Sequence, residues 1–333
     1  MDSQLYFNFT KAIADYYNVD QSHILAGKNF NITIPQAHEL GNNIQQRADF
    51  LSKINHILVK DLKGIKIHGA PEKGITGRVK GGRHLATLSH DENGYELFET
   101  DSGVLVPWQV FANFGSLGNK LFSDYAQYVQ RQIALDRLKI GWNGKEVVGT
   151  TSADDLSDVN KGWLTLLKEQ KPANILTGGA TDNQIKIFGA NADFDNLDEL
   201  ALDLKQGLDT RHQNRTDLVF LVGSDLACAE SNIVAKKYAL TPSEKAVIGS
   251  HNLMGSFGGM SAITPPNFPA KGAVVTTYDN LSIYMQKDTV HRRFSDDEDK
   301  KGLVDSFLRY EGYVVEDNGL MTAVEAENVV IQK

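Results

Sequence analysis

The side chains that most often do chemistry are present in this sequence but are not grouped. Nine histidines are scattered so that none stands three or four residues from another, the spacing that sets a zinc pair on one helical face. His84 and His90 are the closest two, and their polar surroundings predict solvated side chains. The single cysteine, Cys228, lies in Leu226-Ala227-Cys228-Ala229, behind an apolar run. That context predicts a small packed residue rather than a nucleophile. Asp296-Asp297-Glu298-Asp299 lacks the glycine and the alternation of a calcium loop, and Lys300 and Lys301 follow it, so a solvated turn is expected. Gly115-Ser116-Leu117-Gly118-Asn119-Lys120 departs from the phosphate-loop spacing and has no strand before it. Gly255-Ser256-Phe257-Gly258-Gly259 lacks the dinucleotide fingerprint and predicts a flexible bend. No nucleophile, base and orienter form a legible set. The expectation is a protein that is not an enzyme and carries no metal or cofactor.

Charge and composition narrow the classes further. Thirty-four basic against 42 acidic residues give a net charge of -8 over 333 residues. A sequence-independent nucleic-acid binder needs a cationic surplus to displace condensed counterions, so DNA binding is not expected as the main task. With 41% hydrophobic and 23% charged residues, the chain suits a globular protein of one large domain or two smaller ones. One cysteine allows no intrachain disulfide, which fits a reducing compartment. The first residues carry no basic stretch followed by an apolar one, so no secretory leader is expected. The longest apolar run, Leu218 to Val222, is far short of the roughly 20 residues that span a bilayer.

The elements that would position any site read as a mixed α+β order. A short, loosely attached helix is expected from Leu5 to Tyr17. A second helix carries Leu40, Ile44, Ala48 and Leu51 on one face, and a strand follows from Ile54 to Val59. Glycines 64, 69, 74, 77, 81, 82, 94 and 103 break up residues 63–103. A loop of this length inside a compact domain is functional or disordered. Its charge is segregated. Lys63, Lys66, Lys73, Arg78, Lys80 and Arg83 stand with only Glu72 in the first half, whereas Asp91, Glu92, Glu96, Glu99 and Asp101 have no basic neighbour in the second. An extended two-stranded arm with a basic and an acidic leg is predicted. The strongest helix runs over 117–140, with Leu121, Tyr125, Tyr128, Val129, Ile133 and Leu138 as its apolar stripe, Ser116 as its cap and Gly141 as its left-handed stop. Twenty-four residues make a rod of about 36 Å. Further helices are expected at 159–170, 197–208, 224–238 and from Thr241-Pro242-Ser243-Glu244, and strands at 217–223, 260–264, 273–278, 281–286, 307–316 and 320–331.

Several stretches resemble the peduovirus-type major capsid proteins of contractile-tailed phages. They are Asp49 to Asn55 (DFLSKIN), Leu62 to Ile67 (LKGIKI), Gln132 to Asp136 (QIALD), Gly141-Trp142-Asn143-Gly144 and Asp158 to Leu164 (DVNKGWL). Later come Asp217-Leu218-Val219, Val222-Gly223, Asn280 to Tyr284 (NLSIY), His291-Arg292-Arg293 and Tyr313 to Asp317 (YVVED). No single stretch is diagnostic, but the ordered set covers nearly the whole chain.

The resemblance implies the Hong Kong 97-type capsid fold: an N-terminal arm or propeptide (1–35), a peripheral domain (36–62 and 107–171) holding a spine helix (117–140), an extended loop (63–106), an axial domain (172–280) and a peripheral return (281–333). It implies a virion subunit assembled in the host cytoplasm into pentamers and hexamers of an icosahedral head. The implied partners are further copies of the chain, a scaffold or maturation protease, a portal protein, and DNA enclosed without sequence-specific contacts. The family is trimmed near its N-terminus, which makes Phe30-Asn31 the candidate processing site. The segregated charge makes Arg78, Lys80 and Arg83 the candidate inter-subunit contacts. Two other readings are a nanocompartment shell of the same fold and a soluble α+β enzyme.

Overall fold

The computed structural model describes residues 3–66, 76–84, 94–113, 120–181, 183–189, 191–238, 255–287 and 289–332. In chain order the helices among them are α1 (Ser3–Tyr17), α2 (Gln21–Leu25), α3 (Ile34–Gln45), α4 (Trp108–Asn113), α5 (Lys120–Asn143), α6 (Trp163–Gln170), α7 (Leu197–Gln206) and α8 (Ser224–Tyr238). The strands are β1 (Phe30–Asn31), β2 (Asn55–Val59), β3 (Lys63–Gly64), β4 (Tyr95–Glu96), β5 (Phe98–Pro107), β6 (Ile175–Leu176), β7 (Ile185–Ile187) and β8 (Val219–Val222). They continue as β9 (Ser256–Phe257), β10 (Met260–Ile263), β11 (Ala273–Thr276), β12 (Leu281–Gln286), β13 (His291–Asp297), β14 (Gly302–Val315), β15 (Thr322–Val324) and β16 (Val329–Ile331). The expected helix at Thr241 and the cap at Ser116 lie outside the described residues.

The chain divides into two compact units. The first holds Met1–Gly64, Tyr95–Arg137 and Ile283–Gly312; the second holds Ile65–Gly94, Leu138–Ser282 and Tyr313–Lys333. Residues 65–94, 138–171 and 313–333 thus group with the second unit. The chain passes between units five times: after β3, before β4, and inside α5, β12 and β14.

In the first unit a six-stranded sheet has the order β1-β13-β14-β12-β2, with β5 also paired to β14. β14 is its long central strand. β5 lies antiparallel to it from Gly302↔Pro107 to Glu311↔Phe98, and β13 pairs antiparallel with its first half. Alternation along β5 puts Glu99, Asp101, Gly103, Leu105 and Pro107 outward and leaves the even-numbered residues covered or half-covered. The arm base closes as predicted: β3 and β4 pair antiparallel with Lys63 opposite Glu96, and their side chains meet at 2.6 Å. The long helix is α5. Val129, Ile133 and Leu138 are buried, whereas Tyr128 is 67% exposed and leaves the expected stripe.

The second unit is built on a sheet of order β6-β15-β11-β8-β10-β9, in which β8 pairs parallel with β10 and antiparallel with β11. All four residues of β8 are buried, as expected for an apolar run covered on both faces. Leu197, Leu200, Ala201 and Leu204 of α7 join Phe220, Val222, Ala273 and Val275 in one core. Asn196 caps α7 by accepting from the Glu199 N–H at 2.9 Å, and Glu199 accepts in turn from the Asp195 N–H. Two expectations are corrected in this unit. Gly255 to Gly259 is not a flexible bend; Gly258 and Gly259, at φ 57° and 75°, form the two-residue turn of the β9–β10 hairpin. Gly141 does not stop the long helix, which runs on to Asn143. The residue must instead be glycine because a Cβ there would meet the Trp163 ring at 2.4 Å.

Candidate inter-subunit surfaces

The three predicted contact residues lie together on the arm. Residues 76–84 are exposed at every position, so Arg78, Lys80 and Arg83 all face solvent, and Val79 is 54% exposed beside them. Among the described residues none of the three cations is paired with a carboxylate. Gly77 backs onto the His84 ring and Gly81 adopts φ 91°, so the segment turns back on itself at the tip. Of the acidic leg, Glu99 and Asp101 are exposed on β5 and Glu96 is paired to Lys63; Asp91 and Glu92 lie outside the described residues.

The candidate processing site is placed quite differently. Phe30 and Asn31 form β1, paired antiparallel with Arg292 and His291, and Phe30 is 6% exposed. The preceding segment is not loosely attached, contrary to expectation. Phe9, Ile13, Ala14, Tyr17 and Ile24 are buried, and the Phe9 ring lies 5.3 to 5.9 Å from the rings of Phe294, Phe122 and Tyr125. The alternation of aromatic and aliphatic residues in α1 was the available sign, masked by its polar neighbours. An ionic network fixes the same segment. Arg292 donates to the Tyr17 hydroxyl and, through Nε, to Asp305 Oδ1 at 2.9 Å, while the Tyr125 hydroxyl donates to Asp305 Oδ2 at 3.0 Å. Burial raises the Tyr17 phenol to about 12, against the opposing pull of Arg292. The hydroxyl therefore stays protonated at neutral pH.

A second buried network ties the spine helix to β14, and sequence reasoning missed it because its members are 174 residues apart. Arg137 Nε donates to Glu311 Oε2 at 3.0 Å. Arg309 donates to both Glu311 oxygens, Nε to Oε2 at 2.7 Å and Nη2 to Oε1 at 2.8 Å. All three side chains are no more than 2% exposed. Burial alone would raise the Glu311 carboxyl, but the guanidiniums of Arg137 and Arg309 outweigh it and hold it down to about 2. Beside them His56 has its Nε2 enclosed, with no hydrogen-bond partner among the described residues. Burial, and then the charge of Arg137, push the His56 imidazole down to about 3. These are buried ion pairs within the fold.

The residues weighed for chemistry stay apart. Cys228 is exposed on α8 rather than packed in a core, which corrects the expectation for it. Asp296 to Asp299 close the β13–β14 turn, where Asp297 accepts from the Lys300 N–H and Asp296 from Trp108 Nε1. Among the described residues no group of three or more His, Cys, Asp or Glu side chains is placed to hold a metal ion.

A 24-residue helix and two sheet-based units whose segments alternate along the chain define the class: a tailed-phage capsid subunit of the Hong Kong 97-like fold. The fold matches solved capsids. The satellite phage P4 procapsid with its size-determination (Sid) protein superposes with a TM-score of 0.78 at 23% identity, over 100% of this chain and 99% of that one. An empty gene-transfer-agent (GTA) capsid follows at 0.51 and 13% identity, over 84% and 89%. In sequence, the capsid proteins of Escherichia phage P2 are 26% identical over 97% of this chain and 94% of theirs. The major capsid protein of Serratia phage KSP20 is 24% identical over 96% of each. Residues 5–327 match the family of phage major capsid proteins, P2 family, and the chain belongs to it. It is a structural component of the virion.

Proposed function

We propose that the chain closes an icosahedral head from pentamers and hexamers around the phage genome, with no catalytic step of its own. In this reading the sheet of the first unit and most of α5 form the peripheral domain, the sheet of the second unit forms the axial domain at capsomer centres, and residues 65–94, which group with the second unit, are the arm. Assembly takes place in the host cytoplasm on a scaffold, with a portal at one vertex and a protease that trims the chain at Phe30-Asn31. DNA is enclosed by the shell rather than read.

The observation that carries this reading is the arm tip, nine consecutive exposed residues bearing three cations and an exposed valine. An isolated subunit gains nothing from such a segment, whereas a neighbour with acidic surface gives it a place. Exposed ion pairs contribute at most about 1 kcal/mol each, so the tip acts through repetition over many copies and through rejection of wrong partners. Changing Arg78, Lys80 and Arg83 together to Glu should leave a soluble, folded subunit that fails to close shells. Normal shells from the triple variant at low salt would contradict the assigned role of the arm.

A further inference from the structure

We propose that the acidic surface receiving the arm tip is the open edge of β5 on a second copy of the chain, joined by strand addition. The inference rests on the reading above, in which the basic tip contacts a neighbouring subunit, and it names the partner surface.

β5 is ten residues long and among the described residues pairs with β14 alone. An antiparallel strand turns alternate N–H and C=O groups away from its partner, so among the described residues the far edge of β5 presents a row of donors and acceptors with no strand beside it. A long open edge of this kind is a template for another strand, and main-chain hydrogen bonds supply the attraction while side chains choose the occupant. On this edge the choosing side chains are Glu99 and Asp101, two residues apart and exposed on one face.

The tip carries the complementary pattern. Arg78 and Lys80 are also two residues apart, in a stretch without regular structure that reaches a turn at Lys80 and Gly81. The two-residue period puts both cations on one face of a strand. In the antiparallel register Arg78 stands opposite Asp101 and Lys80 opposite Glu99, both pairs on the solvent side. Val79 then turns to the inner face beside Thr100, which is itself 6% exposed. In the same register Thr76 stands opposite Gly103, where an added Cβ meets nothing within 4 Å. Arg83, beyond the turn, lies outside the pairing.

The test uses full-length chains co-expressed with their scaffold, in a Cys228→Ser background. Arg78→Glu with Lys80→Glu should lower the yield of closed particles by roughly tenfold, because like charges then face each other along the edge. Adding Glu99→Lys and Asp101→Lys should restore it. Separately, copies carrying Thr76→Cys and Gly103→Cys keep every charge; a short bismaleimide should link them into multimers in assembled particles and leave unassembled subunits unlinked. Normal assembly of the Arg78→Glu, Lys80→Glu variant overturns both this inference and the arm reading beneath it. Loss of assembly without rescue, absence of the 76–103 link, or a link from position 103 to another protein overturns the β5 edge alone and leaves the arm reading standing. Circular dichroism of each variant subunit separates misfolding from failed docking.

Discussion

Glu311 accepts from two guanidiniums at once, and all three side chains are sealed from solvent. Such a group is costly to break because removing one member leaves the others charged and buried, at about 3–5 kcal/mol. We expect Glu311→Ala to lower the unfolding free energy of the unassembled subunit by at least that range, read as a shift in denaturant midpoint. An unchanged midpoint would show that the network contributes nothing. The same residues set an acid limit. The Glu311 carboxyl is lower in the folded chain, at about 2, than its ordinary value of 4.5, so its contribution is present above 4.5 and is lost as pH falls toward 2. His56 is also lower when folded, at about 3 against 6.5, so the unfolded chain takes up a proton that the folded chain refuses. Stability should therefore begin to fall below about pH 6.5, by up to about 1.4 kcal/mol per pH unit, before Glu311 adds its share. His56→Gln should flatten the part between pH 6.5 and 4.5; an identical pH profile in the variant would remove His56 from the account.

At the scale of elements, α5 and α1 carry the assignments that can be tested most cleanly. Gly141 sits where α5 meets the Trp163 ring, so Gly141→Ala adds a methyl at 2.4 Å and should destabilise the second unit by about 1–3 kcal/mol. Were Gly141 the helix stop that its sequence position suggests, alanine would lengthen or strain only the helix end and Trp163 fluorescence would not change. α1 matters for processing. The Phe30–Asn31 bond lies in a strand pair and its neighbours are packed, so a protease should cut it slowly in the unassembled subunit. Phe9→Ala removes a ring from the cluster that holds α1 and should accelerate cleavage there; equal rates in both chains would mean that undocking is not required.

What the sequence disclosed at this scale follows local physics. The α7 capping pattern, the apolar run of β8, the arm base at Lys63 and Glu96 and the length of α5 all depend on neighbours within a turn or a hairpin. Tyr128, Gly141, Cys228 and the anchoring of α1 were misread because tertiary contacts decide them. Tyr128 has apolar spacing but faces outward, and Gly141 answers to a tryptophan 22 residues away. The buried Arg137–Glu311–Arg309 group left no sign in spacing at all. The arm cations were legible because charge segregation along one stretch survives any fold.

For the whole molecule, the two compact units are interleaved in sequence, and the chain passes from one to the other five times, three of them inside α5, β12 and β14. Among the described residues the 76–84 segment is exposed at every position. If the chain closes a shell, electron microscopy of the full chain co-expressed with its scaffold will show it. Closed icosahedral particles are expected, with the 76–84 tip of each copy lying on a neighbouring subunit. Monodisperse monomers at high concentration with no particles, or particles in which 76–84 packs only on its own chain, would contradict that expectation.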